Sequence, residues 1–148
     1  MAGEGARGGI SHCVTVECAV PAERAFAFLC DGAMLGRWAF GCWQAEPRED
    51  GLVVGRSLFD GGETWARAVG DPRLLSVDYH VGASPDALVP RIMARVVPGP
   101  VVGRGADVCL VSLIAWRDQG MDDARWHRLV ACHEVEVLLI QALLARPA

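Results

Sequence analysis

The chain has 148 residues, 52% of them hydrophobic, and a formal net charge of −4; it contains no lysine, so arginine supplies all of the basic charge. No run of like charge occurs, which argues against nucleic acid or an anionic membrane as a partner. The apolar stretches are much shorter than the roughly 20 residues a membrane-spanning helix needs, and the length suits one domain with one core.

Residues 1–10 are Gly-rich and carry Glu4 and Arg7. They read as a disordered tail and not as a secretion signal, leaving residues 11–146 as a single domain with the cytoplasm as its expected compartment. Alternation over 12–20 predicts a strand, with Val14, Val16 and Cys18 on one face and Cys13, Thr15 and Glu17 on the other. Pro21 suits a first helical turn, where a missing N–H costs nothing, so a helix is predicted over 22–30. Asp31-Gly32 ends it, and residues 34–38 make a second short helical turn closing on Trp38.

From Phe40 the pattern changes to strands and turns. Strands are predicted over 40–46 and 52–59, separated by the turn Glu49-Asp50-Gly51. Asp60-Gly61-Gly62 is a strong hairpin signal before a strand over 63–69. Gly70-Asp71-Pro72-Arg73 then turns into a strand over 74–81, and 82–89 is a loop. Strands over 90–97 and 107–116 follow, joined by a Gly/Pro-rich connection. The last and longest element is a helix over 122–145, capped by Asp122 or Asp123. Trp126, Val130, His133, Val137, Ile140 and Leu144 fall on one stripe of it, while Glu134 and Glu136 read as solvated positions.

A strand, two short helices, a run of antiparallel strands and a long C-terminal helix define an α+β order. About seven strands form one curved sheet, and only the last helix is long enough to cover its concave face. The segments Val-Pro-Ala-Glu-Arg-Ala-Phe-Ala-Phe at 20–28, Leu-Gly-Arg-Trp at 35–38 and the Asp-Pro turn at 71–72, with the closing helix, resemble the START-like, or SRPBCC, superfamily of helix-grip proteins. The resemblance implies a cavity between sheet and helix that holds hydrophobic small molecules. Members include lipid carriers, polyketide cyclases and chaperone-associated modules, and no shared catalytic motif passes to this chain.

Alternation sorts the strand faces. Leu75, Val77, Tyr79 and Val81 share a face with Ile92, Ala94 and Val96 and with Thr64, Ala66 and Ala68, taken as the cavity side. The other side carries Glu63, Trp65 and Arg67, then Ser76, Asp78 and His80, then Arg91, Met93 and Arg95, read as a solvated face tied by cross-strand ion pairs. An inverted assignment would gather Asp78, His80 and Arg95 into a polar pocket.

The expected ligand contacts from the sheet and short helices are Trp38, Ala66, Val77, Tyr79 and Ile92. Those from the long helix are Trp126, Val130, His133, Val137 and Gln141, with Trp126 meeting Trp38 at the cavity mouth. His133 and Tyr79 are the only catalytic candidates, helped by Thr64 or Ser112; the Tyr79 hydroxyl needs a partner, and a ligand is one. The six cysteines contain no CxxC and read as small buried hydrophobes. His127, His133 and Glu134 diverge along the helix, so neither a metal nor another cofactor is implied.

Three functions follow. The first is binding of a hydrophobic or aromatic small molecule in the cavity. The second is a cyclase/dehydratase-like enzyme with converging polar groups, and the third an interaction module without a working cavity, for instance a homodimer.

Overall fold

The computed structural model describes residues 9–147; most of the predicted tail, residues 1–8, lies outside the described residues. Strand β1 (Ser11–Cys18) leads through Pro21 into helix α1 (Ala22–Cys30) and then helix α2 (Gly32–Trp38). Asp31 joins the two helices: its N–H donates to the Phe28 carbonyl at 3.3 Å, and its Oδ1 accepts the Ala33 N–H at 3.0 Å. One residue therefore ends one helix with its backbone N–H and starts the next with its side chain. Strands β2 (Trp43–Pro47), β3 (Leu52–Arg56), β4 (Glu63–Asp71), β5 (Ser76–Gly82), β6 (Val89–Pro98) and β7 (Cys109–Trp116) follow, and helix α3 (Asp123–Leu144) closes the chain. Asp122 caps α3, its Oδ1 accepting the Arg125 N–H at 2.7 Å.

The seven strands form one antiparallel sheet in the order β1-β7-β6-β5-β4-β3-β2. Each strand from β2 to β7 pairs with its chain neighbour, and β1 pairs with β7 to complete the α+β helix-grip arrangement. The strand predicted from residue 40 begins only at Trp43, because Phe40–Cys42 is a 3-10 turn. The strand predicted through residue 59 stops at Arg56, since Ser57 already belongs to the hairpin loop: its N–H donates to the Gly62 carbonyl and its carbonyl accepts the Gly61 N–H.

Two helices, not one, cover the concave face. Helix α1 packs across β4 to β7, while α3 packs on β1 and β7. Ala22, Ala25 and Leu29 of α1 share a core with Val137, Ile140 and Leu144 from the C-terminal half of α3 and with Ala66, Val77 and Val111 of the sheet. Around the N-terminal half of α3, a smaller cluster joins Trp126, Leu129 and Val130 to Ala115. One end of the space between sheet and helix is therefore filled by α1.

The outer face departs from the predicted ladder of ion pairs. Arg67 stands opposite His80, and Asp78 opposite Met93 and Val69. Among the described residues no ion pair joins Glu63, Arg67, Asp78, His80 or Arg95. Of these residues only Glu63 has a registered partner of opposite charge, Arg56, whose guanidinium donates instead to the Gly61 carbonyl at 2.8 Å.

Candidate functional site

Where α1 stops filling the concave face, a pocket of about 680 Å³ opens. It lies between the N-terminal half of α3, the ends of β4, β5 and β6 nearest their loops, and the turn after α2. Leu35, Trp38, Tyr79, Ile92 and Leu129 supply its apolar wall, and Asp60, Glu63, Arg91, Asp118 and Arg125 stand at its more exposed end.

His133 and Glu136 face this pocket from α3, at 3% and 5% exposure. His133 Nε2 is 3.8 Å from Glu136 Oε1, too far for a hydrogen bond. The other carboxyl oxygen accepts the Phe40 N–H at 3.1 Å, so the 3-10 turn after α2 fixes its orientation. Burial pushes the Glu136 carboxyl up to about 8, against a smaller lowering by the Phe40 N–H. Burial, and then the neighbouring His12 ring 6.1 Å away, pushes His133 down to about 4. At neutral pH the pair is thus an un-ionised acid beside a neutral imidazole, able to donate one proton and accept another.

Other polar atoms here lack partners. His133 Nδ1 and Trp38 Nε1 are buried without a hydrogen bond, and both residues line the pocket. Tyr79, by contrast, is satisfied: its hydroxyl donates to the Leu29 carbonyl at 2.7 Å, and its ring meets Trp38 edge-on at 5.6 Å. The carbonyl lies in the last turn of α1, where helix carbonyls have no intrahelical partner. The partner predicted to be a ligand is the protein's own backbone.

Of the residues predicted to contact a ligand, Trp38, Tyr79, Ile92 and His133 line this pocket. Ala66, Val77 and Val137 do not; they are packed in the core beneath α1. Trp126 and Val130 belong to the cluster around Ala115, so Trp126 does not stand at a mouth with Trp38. Gln141 donates from Nε2 to the Glu17 carbonyl at 2.6 Å and ties α3 to β1. Thr64 lines the pocket, whereas Ser112 pairs with Thr15 at 2.7 Å.

Several pocket residues escaped the sequence reading, among them Glu136, Arg91 and Glu63, the last two expected on the outer face. Glu136 was expected in solvent, yet it lies three residues after His133 and one before Val137, within the buried arc of α3. Leu129, His133, Glu136 and Ile140 repeat at four-, three- and four-residue intervals, and that spacing was the available signal. Arg91 was expected on the outer face. The register of β5 and β6 shifts between Tyr79 and His80: Tyr79 opposes Ile92, and His80 opposes Pro90. Arg91 is the extra residue of a bulge, and it lines the pocket beside Ile92. Adjacent residues of a regular strand would face opposite ways.

No protein-family profile matches the chain, and no curated protein matches it in sequence. Its three-dimensional structure does match solved structures. The protein XoxI from Bacillus cereus superposes with a TM-score of 0.67 at 13% identity, covering 92% of this chain and 96% of that one. The Zhui aromatase/cyclase from Streptomyces sp. R1128 superposes with a TM-score of 0.57 at 14% identity, covering 90% of each chain. The Aha1 dimer from Colwellia psychrerythraea gives a TM-score of 0.61 at 13% identity, over 92% of this chain and 96% of that chain. The chain has the START-like, or SRPBCC, helix-grip fold. Among the described residues no helix is long and apolar enough to cross a membrane.

Proposed function

We propose that this protein binds a hydrophobic or aromatic small molecule in the pocket between the sheet and the N-terminal half of α3. One observation carries the reading: Trp38, His133 and Glu136 line the pocket, Trp38 Nε1 and His133 Nδ1 are buried without a hydrogen bond, and the Glu136 carboxyl is bonded only to the Phe40 N–H. Unpaired buried polar groups are costly, on the order of 1–3 kcal/mol each. A ligand with a carbonyl or hydroxyl beside an apolar body would offset that cost and cover Leu35, Ile92 and Leu129.

A second reading, cyclase/dehydratase-like chemistry, is favoured by the same pair. An un-ionised carboxyl can polarise a ligand carbonyl while the neutral imidazole takes a proton from the adjacent carbon. Tyr79 drops out as a catalytic candidate, because its hydroxyl is committed to Leu29. The pocket volume weighs against an interaction module with a collapsed cavity. We keep the cytoplasm as the compartment, and a second copy would find exposed Val135 and Leu138 on α3.

Native mass spectrometry of the protein purified from its own host tests the proposal. A retained adduct of small-molecule mass is expected, and Ile92→Trp, which fills the pocket, should lose it. Unliganded protein alone, with no saturable binding of aromatic probes, would overturn the reading. New products formed from the extracted ligand by the wild type and not by Glu136→Gln would favour the enzyme.

A further inference from the structure

We infer that the pocket's ligand is a monoanionic carboxylate, its charged end held between Arg91 and Arg125 and its apolar body against Trp38 and Tyr79. This rests on the reading of the pocket as a small-molecule site and specifies the ligand class.

Arg91 and Arg125 enter the pocket from opposite sides, one from the bulge in β6 and the other from the first turn of α3. Neither makes an ion pair among the described residues, and Arg91 Nε and Arg125 Nη1 are buried without any hydrogen bond. Two cations beside each other, partly desolvated and unpaired, are a standing electrostatic cost unless an anion joins them. Burial first, and then Arg91 and Arg128, weaken the hold of Arg125 on its proton, against a smaller opposing effect of Asp60. Its guanidinium is kept in place by the Phe59 ring, whose centroid lies 3.6 Å from Cζ.

Each acidic neighbour accepts a hydrogen bond elsewhere with one carboxylate oxygen. Asp60 Oδ1 accepts the Gly62 N–H at 2.8 Å, Asp118 Oδ1 accepts the Gly120 N–H at 3.0 Å, and Glu63 Oε2 accepts the Trp65 indole N–H at 3.2 Å. These carboxylates brace turns and a side chain; Asp60 favours the charge on Arg125 from a distance, but none of the three forms an ion pair with either arginine. They still place negative charge around the pocket mouth, which disfavours a dianion such as a phosphate monoester. Planar guanidinium forks suit a carboxylate. The bulge supplies the specificity of the arrangement: without it, Arg91 would lie on the outer face and Arg125 would stand alone.

The test is isothermal titration of the protein with 2-naphthoate, its methyl ester and 2-naphthyl phosphate. The wild type should bind the acid at least about tenfold more tightly than the ester, the scale of one charge-assisted hydrogen bond. Arg91→Gln, which leaves the Phe59 contact untouched, should remove most of that preference while keeping ester affinity within about twofold, and Arg125→Gln should act likewise. Thermal melts of both variants control for folding. Equal binding of acid and ester, an unaltered preference in Arg91→Gln, or tighter binding of the phosphate would each overturn the carboxylate assignment and leave the small-molecule pocket standing. Binding of none of the three would count against the pocket reading itself.

Discussion

Glu136 approaches His133 on one face of α3, Oε1 to Nε2 at 3.8 Å, with both side chains almost wholly enclosed. Both groups are un-ionised near neutrality because burial penalises charge on each.

The pair sets a pH dependence of stability. Glu136 is raised from its ordinary value of 4.5 to about 8, so between these limits the folded protein holds a proton that the unfolded chain has released, and stability falls as pH rises. His133 is lowered from 6.5 to about 4, so between these limits the unfolded chain holds the extra proton and stability rises with pH. The two slopes oppose each other between 4.5 and 6.5, leaving Glu136 alone to act from 6.5 to 8. Wild-type protein should lose about 2 kcal/mol across that upper window, at about 1.4 kcal/mol per pH unit. Glu136→Gln should be flat there in urea unfolding. Parallel curves for the two proteins would refute the assignment.

His133→Ala should leave the fold intact and alter ligand affinity, because the imidazole makes no hydrogen bond within the protein through Nδ1. The expected stability cost is about 1–2 kcal/mol for lost packing. Circular dichroism and titration with the adduct found by mass spectrometry separate the two effects. Unaltered binding would remove His133 from the site.

Tyr79→Phe tests whether the phenol is structural. It strands the Leu29 carbonyl at the end of α1 and should cost about 1–3 kcal/mol in denaturant unfolding. Ligand affinity should change less than about twofold, since the hydroxyl is already spent within the fold. A large affinity loss with little loss of stability would show the hydroxyl turned towards the ligand.

Gly36→Ala should be among the most damaging single changes. A Cβ there would lie 2.2 Å from the Ala45 backbone nitrogen and 3.0 Å from the Gln44 carbonyl carbon, and backbone cannot swing aside as a side chain can. Helix α2 sits directly on β2 at this point, where Gln44 takes a φ of 53° and the register with β3 shifts. An expected loss of about 2–3 kcal/mol should appear as a lowered denaturation midpoint. A wild-type midpoint would mean that α2 stands off from β2 in solution.

The cysteines should separate by accessibility. Burial pushes Cys18 up to about 12 and Cys42 up to about 11, whereas Cys13 is exposed on β1. Iodoacetamide at pH 8 should label Cys13 rapidly and leave Cys18 and Cys42 unmodified until the protein unfolds. Mass spectrometry of the digested, labelled protein reads this directly.

Local chemistry carried most of the architecture. Alternation, the Pro21 helix start, the Asp31 junction and the Asp-Gly hairpin are short-range signals, and each acts through backbone geometry within a few residues. They were enough to place α1, the strand order and the long helix, because hairpin-linked strands pair with their chain neighbours. The stripe through His133, Val137 and Ile140 was legible for the same reason.

What depended on tertiary structure was where the space is. Ala66, Val77 and Val137 were rightly placed on the inward face, but an inward face does not say whether another element fills it, and here α1 does. Glu136 looked solvated because carboxylates usually are; only the Phe40 amide and the turn after α2 make its burial tolerable. Arg91 obeyed alternation in sequence and escaped it in space, since a bulge is a property of two paired strands and not of one. The sequence by itself determined the container, through signals that act over a few residues. Its pocket, and the charged and un-ionised groups that face it, were decided by contacts between residues far apart in the chain.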